Sequence, residues 1–307
     1  MLKGIDFCIC TYNRIDYLKS CAEALLPQII TGKTMLTIVD NGSNDGTKTY
    51  VESLQKENVS IRYVFTKEKG LSNARNAGWQ SSSFEWIFYL DDDCLPQGGW
   101  VMSALKLIEQ KETFDAYGGP IDPVFQGSVP DWLPEDFGRF KMPFQETTRL
   151  TSGFIRGGCF LVKRNALEKL GGFDVSLGVT GNELRYGEEI DLQVRMRNAN
   201  FSIGYAPSLR IGHFLRTEKL NVRWMLISTY ARHRDKMTFN PVSLGQSSVN
   251  LIKTSFGRII WTPVHVIQSM TRKGYSFRRA CLDILKPIAT TYGEWIGAWR
   301  NHKNSKS

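Results

Sequence analysis

Three consecutive carboxylates, Asp91, Asp92 and Asp93, follow the apolar run 86–90 in "WIFYLDDDCLP" (86–96). Like charges at the end of a core strand repel one another and resist burial, so the placement needs a cause. Side chains alternate along extended backbone, which sends Asp91 and Asp93 to one side and Asp92 to the other. Two converging carboxylates make a hard-oxygen site for magnesium or manganese, an ion that can also hold a pyrophosphate. The plainer alternative is an acidic surface turn. A further acid, Asp40, ends an apolar run in "VDNGSNDGT" (39–47). It can accept a hydrogen bond from a nucleobase imide or simply form the turn. Arg75, in "GLSNARNAG" (70–78), can pair with a phosphate or with an acidic neighbour. Glu188 and Glu189 open a helical stretch, either capping it or offering a carboxylate kept ionised by the helix dipole. His213 is a metal-ligand candidate with a structural alternative. Asp191 and Arg195 stand four apart and read as a structural pair.

These residues need elements to position them. Strand-like runs at 5–10, 34–40, 59–65 and 86–90 alternate with helical patterns after residue 11, at 48–57 and at 71–81. That alternation predicts a mostly parallel sheet covered on both faces. In such sheets ligands collect at the carboxyl ends of the strands, where 11–13, 40–43 and 91–93 all fall. Residues 120–152 read as a long irregular stretch with Pro120, Pro123, Pro130, Pro134 and Pro143 among aromatics. Loops of that length cover a site or bind something. A strand over 154–164, a short helix ended by Gly171 and Gly172, a helix over 188–200, two short strands and a helix over 219–237 follow. No G-x-G-x-x-G or Walker loop is present, which removes support for a dinucleotide or ATP fold.

The 307 residues are 42% hydrophobic and 22% charged, an ordinary globular composition. The net charge of +9 is uneven: 251–307 hold ten of the Lys and Arg and two of the Asp and Glu. A nearly neutral body counts against nucleic acid as its ligand. The six cysteines are scattered and are expected to be reduced, in a cytosolic protein with neither a secretory signal nor a membrane span. The basic tail contains "IIWTPVHVI" (259–267), "RKGYSFRRA" (272–280) and "ILKPIATTYGEWIGAW" (284–299). Ile284, Ile288, Tyr292, Trp295 and Trp299 recur at three- and four-residue steps and form one apolar helix face. With Lys and Arg beside it, such a face suits an anionic cytoplasmic leaflet; packing on the body or on another copy is the alternative.

Six stretches occur in order: "CTYNR" (10–14), "VDNGSNDGT", "GLSNARNAG", "LDDDCLP" (90–96), "GGCFLVKRNALEKLGGFD" (157–174) and "GEEIDLQVR" (187–195). Together they closely resemble the inverting glycosyltransferases of family 2 over about residues 5–240. The resemblance implies an α/β GT-A fold, Rossmann-like, with a mostly parallel central sheet, helices on both faces and a C-terminal helical appendage. It implies a domain over 1–240, with a nucleotide-sugar half (1–115) and an acceptor and base half (116–240), then a basic tail over 241–307. The donor would be a nucleotide-diphosphate sugar, with Thr11, Asn13 and Arg14 under base and ribose, Asp40 on the base and Arg75 beside the phosphates. Asp91, Asp92 and Asp93 would serve ribose, diphosphate and a divalent cation (Mn or Mg), Asp93 being the more direct ligand, with Asp91 and His213 beside it. Gly157, Gly158 and Cys159 would lie at the sugar and acceptor. The family's base is usually the second acid of a Glu-Asp pair. Glu189 holds that place here, with a side chain longer by about 1.5 Å, and Glu188 is the alternative. The acceptor would be a glycan or a lipid-linked hydroxyl in surface polysaccharide or glycoconjugate assembly, at the inner face of the cell membrane. A non-catalytic sugar-binding relative and a metal-dependent nucleotidyltransferase are the competing readings.

Overall fold

A computed structural model describes residues 2–57, 59–110, 113–180 and 184–305. The chain opens as β1 (Leu2–Thr11), α1 (Ile15–Leu25), β2 (Thr34–Asp40), α2 (Thr47–Glu57), β3 (Ile61–Phe65), α3 (Leu71–Ser81) and β4 (Phe84–Asp91). Next come β5 (Cys94–Leu95), α4 (Trp100–Ile108), β6 (Ala116–Gly118), β7 (Ile121–Phe125) and β8 (Thr148–Arg149). Then follow β9 (Cys159–Lys163), α5 (Arg164–Leu170), α6 (Glu188–Asn198), β10 (Ile203–Tyr205) and β11 (Ile211–Leu215). The last elements are α7 (Val222–Lys236), α8 (Leu244–Thr271) and α9 (Phe277–Asn304).

The main sheet has the order β3-β2-β1-β4-β9-β6-β10-β8. Its first four strands are mutually parallel, as the alternating pattern predicts. β9 enters antiparallel between β4 and β6, with Leu90 opposite Cys159. That reversal brings the residues before β9 to the edge where β1, β2 and β4 end. A second sheet, β5-β11-β7, stands beside it. The strand expected over 154–164 is shorter, because Gly157 and Gly158 precede it outside the ladder, and the irregular stretch contributes β7 and β8.

Alternation along the strands builds two apolar layers. Phe7, Ile9, Leu36, Ile38, Trp86, Phe88 and Leu90 face α1, α2 and α4. Cys8, Val39, Ile87 and Tyr89 face the other way, toward α3, α5 and α6. Each fully buried Ile, Leu or Phe contributes about 1.5–3 kcal/mol, which fixes the register of these strands. All six cysteines are free thiols, four of them buried.

Contacts group the chain into two units. The first is Met1–Val124, Gly138–Gly181 and Glu188–Phe214; the second is Phe125–Phe137, Asn182–Gly187 and Leu215–Ser307. The second unit takes in α7 together with α8 and α9. The cause is close packing of α9 on α7. A Cβ at Gly293 would lie 2.4 Å from the Tyr230 carbonyl oxygen, and one at Gly297 2.3 Å from that of Arg234. Trp132, Leu133, Met225 and Leu282 form the apolar centre of this unit.

Candidate active site

The parallel register of the first strands gathers the acids. Thr11 pairs with Asp40 and Cys10 with Asp91, so the carboxyl ends of β2, β1 and β4 form one rim. β11 adds His213 through its pairing with Cys94 in β5. The Phe214 amide donates to the Asp93 carbonyl at 2.8 Å and fixes the two segments together.

Asp91, Asp93 and His213 offer ligand atoms that all lie within 4.8 Å of one another. His213 Nε2 is 2.9 Å from Asp93 Oδ1. Asp93 is only 2% exposed, whereas the side chain of Asp91 is 35% exposed and forms the open side of the cluster. Two carboxylates and an imidazole suit a divalent cation such as manganese, and Asp91, Asp93 and His213 would hold it. Asp92 turns into the protein and is 1% exposed. It accepts from Thr11 Oγ1 at 2.8 Å and pairs with Arg14 Nη1 at 2.6 Å. Arg14 also binds Asp93 through Nη2. Burial lifts the Asp92 carboxyl to about 7, with Asp93 and Asp91 adding to it against Arg14. For Arg14, burial is outweighed by Asp92 and Asp93, and its pKa rises. Thr11 and Arg14, expected under a base and ribose, thus orient and neutralise the acidic turn.

Asn13 takes a left-handed backbone, φ 52°. Its amide donates to Ser43 Oγ at 2.9 Å and its Oδ1 accepts from the Asn44 amide at 2.8 Å. The loops after β1 and β2 are tied by these bonds. Asp40, 1% exposed, accepts from the Ser43 amide at 2.7 Å and from the Tyr63 hydroxyl at 2.8 Å. Both carboxylate oxygens already have a donor.

Arg75 is the hub of the other side. It is 3% exposed, with Nη1 2.8 Å from Glu188 Oε1 and Nη2 3.5 Å from Asp91 Oδ1. Its guanidinium lies over the rings of Phe173 and Tyr89, at 5.4 and 5.9 Å from their centroids. One cation therefore joins the metal-ligand candidate to the acidic start of α6. Glu188 is 5% exposed, and burial followed by the neighbouring Glu189 charge lifts its carboxyl to about 7 against the pull of Arg75. Glu189 is half-buried, and its carboxylate has no hydrogen-bond or ion-pair partner among the described residues.

Gly157 and Gly158 are glycines for a reason internal to the site. A Cβ at 157 would stand 2.7 Å from Arg75 Nη2, and one at 158 would stand 2.7 Å from Asp91 Oδ2. The expected acceptor contact at Cys159 is not one its side chain makes. Its thiol is buried, 3.4 Å from the Leu209 carbonyl, and burial raises its pKa to about 12. Asp191 and Arg195 do pair, at 2.7 Å.

Sequence reasoning passed over Lys69 and Tyr12. Lys69 Nζ donates to the Asn41 and Gly42 carbonyls at 2.9 and 3.0 Å and sits 4.0 Å from the centroid of the exposed Tyr12 ring. Their closeness depends on loops from two strands, and only the three-dimensional rim reveals it.

The sheet order, the D-x-D turn and the acid-headed helix define a GT-A fold. Solved structures agree: GalNAc-T7 with UDP, GalNAc and Mn2+ superposes with a TM-score of 0.56 at 19% identity, over 74% of this chain and 47% of that one. The mannosyltransferase PcManGT from Pyrobaculum calidifontis, in complex with GDP-Man and Mn2+, gives 0.55 at 16%, over 75% and 61%. The chain thus spans less than two thirds of either. In sequence it is 25% identical over 228 residues to the succinoglycan biosynthesis protein ExoM of Rhizobium meliloti, covering 72% of this chain and 70% of that protein. Residues 6–171 match the model of Glycosyl transferase family 2. The chain belongs to that family and is a glycosyltransferase.

Proposed function

We propose that this enzyme transfers a sugar, with inversion, from a nucleotide-diphosphate donor to a hydroxyl of a glycan or lipid-linked acceptor. The observation that carries the reading is Arg75, which links Asp91 of the cation-binding cluster to Glu188 beside the free Glu189. A leaving group and a base are thereby held in one small region of a single rigid rim. Inversion requires those two functions to address opposite sides of one anomeric carbon.

Asp91, Asp93 and His213 would hold a divalent cation, manganese for preference because an imidazole joins the two carboxylates. When bound, such an ion offsets charge on a departing diphosphate. The chain's own residues do the rest. Glu189 accepts the proton of the acceptor hydroxyl as that oxygen attacks the anomeric carbon and the bond to the diphosphate breaks. Arg75 fixes Glu188, and with it the start of α6 that carries Glu189. Arg14 and Thr11 hold Asp92 and Asp93 in place. Positioning and preorganised electrostatics supply most of the acceleration. The loops tied by Asn13, Asp40 and Lys69 are the donor's base site in this reading.

ExoM is a polysaccharide biosynthesis protein by its name, and that supports a glycan acceptor. Family membership favours sugar transfer over the nucleotidyltransferase and non-catalytic alternatives. The test is a panel of nucleotide sugars with manganese or magnesium, scoring release of nucleoside diphosphate and, by NMR, the anomer formed. Release from one donor class with an inverted product is expected. A retained anomer, or release of pyrophosphate from a nucleoside triphosphate, would overturn the proposal.

A further inference from the structure

The long helix α8 carries large apolar side chains on its outer side. Ile252, Phe256, Ile259, Ile260, Ile267 and Met270 are exposed by 68, 66, 70, 58, 58 and 81%. At about 100° per residue these positions fall within a stripe about 100° wide that runs from residue 252 to 270. The opposite side is occupied by α9: Trp295 Nε1 donates to Ser248 Oγ at 3.1 Å, and Arg258 Nη1 donates to the Asp283 carbonyl at 3.3 Å. Among the described residues the stripe is therefore left uncovered. An exposed, continuous apolar band of this kind marks an association surface.

The charges around it choose the partner. Residues 244–271 contain no Asp or Glu, while Lys253 is exposed on the flank, Arg272 and Lys273 are exposed just after the helix and Arg278 is exposed in the first turn of α9. Two copies of α8 laid together would bring cations against cations with no acid to answer them. An anionic lipid surface supplies the missing sign and an apolar layer at once. Among the described residues no helix is long and apolar enough to cross a membrane, so α8 would lie on the surface along its 252–270 stretch, about 28 Å.

We propose that α8 seats the enzyme on an anionic phospholipid bilayer, with the 252–270 stripe at the acyl boundary and Lys253, Arg272, Lys273 and Arg278 among the headgroup phosphates. This goes beyond the transfer reaction and relocates the membrane-facing surface that the sequence pattern suggested. On the aromatic face of α9, Tyr292 stacks on Tyr230 at 5.6 Å and Trp295 bonds to α8, while Tyr292 and Trp299 are each 45% exposed, less than any of the six side chains of the α8 stripe.

The test is flotation of the full-length protein with vesicles of phosphatidylcholine alone or mixed with phosphatidylglycerol, at low and high salt. The wild type is expected to float with the anionic vesicles at low salt. A Phe256→Ser/Ile259→Ser/Ile267→Ser variant should lose about tenfold or more in partitioning while keeping its melting temperature. Lys253→Glu/Lys273→Glu should weaken flotation on anionic vesicles alone. Nucleoside diphosphate release from soluble donor should stay within about twofold in both variants, so a failure of the lipid proposal is separable from a failure of the catalytic one. Absence of flotation, or equal flotation on both vesicle types, overturns the proposal. So does a lipid-free dimer that the same serine substitutions disperse, since the stripe would then belong to a second copy.

Discussion

At the sheet rim Arg75, Asp92, Asp93 and Glu188 are all buried to 5% exposure or less, whereas along α8 six large apolar side chains stand in solvent. Both arrangements run against the usual sorting of charge and oil. They differ in how they are answered. Arg75 meets Glu188 and Asp91, and Asp92 meets Arg14 and Thr11, so the buried charges of the rim are answered by opposite charges within the protein. The stripe on α8 meets no packing partner among the described residues, and in our proposal a lipid surface completes it. Buried charge here marks the proposed chemistry, and exposed apolar surface marks the proposed docking face.

Perturbing the rim should therefore be costly, and perturbing the stripe should not. The largest effect is expected for Glu189→Gln, which should lower kcat by about 10²–10⁴-fold while donor binding is kept, as steady-state kinetics and calorimetry would show. Wild-type turnover would remove Glu189 as the base. Next is Arg75→Met, which strands Glu188 in the interior without its partner. A loss of about 3–5 kcal/mol is expected in urea unfolding, and Arg75→Lys should restore part of it. A smaller effect concerns pH. The folded state holds the Glu188 proton more tightly than the unfolded chain, with its carboxyl at about 7 against 4.5. The stability this gives is full below about pH 4.5 and is lost as pH rises through about 7, and Asp92 adds to it in the same direction. Glu188→Gln should remove about half of that slope in melting temperature against pH. The smallest effect is Ile259→Ser on the 70%-exposed position of α8, expected within about 0.5 kcal/mol of wild type. A large loss there would mean that the stripe is packed in solution.

The fold was legible wherever pattern is local. Thr34–Asp40 and Leu71–Ser81 lie where the periodicity puts them, because a buried parallel strand and an amphipathic helix each declare themselves in a few residues. The direction of β9 was not legible, since an antiparallel entry depends on the route of the preceding loop. The site residues were visible as types, but their partners were not. Arg14 and Arg75 read equally well as phosphate ligands or acid partners, and only the fold brings Arg14 beside Asp92, 78 positions away, and Arg75 beside Glu188, 113 positions away. Gly157 and Gly158 signalled close approach, but the approaching atoms belong to Arg75 and Asp91. In the tail, the three- and four-residue steps mark an apolar face on α8 as clearly as on α9. Periodicity does not tell which of two such faces is covered, and the glycines of α9 decide it by letting α7 come close.

The measurement that bears most directly on the rim is a manganese titration of the full-length protein, followed by electron paramagnetic resonance, with nucleoside diphosphate present. Saturable quenching of the free-ion signal is expected for the wild type and for Glu189→Gln. For Asp93→Ala, at least a ~10²-fold loss of manganese affinity is expected, and nucleoside diphosphate binding should no longer depend on the ion. Wild-type manganese affinity in Asp93→Ala would contradict the cation site at the end of β4.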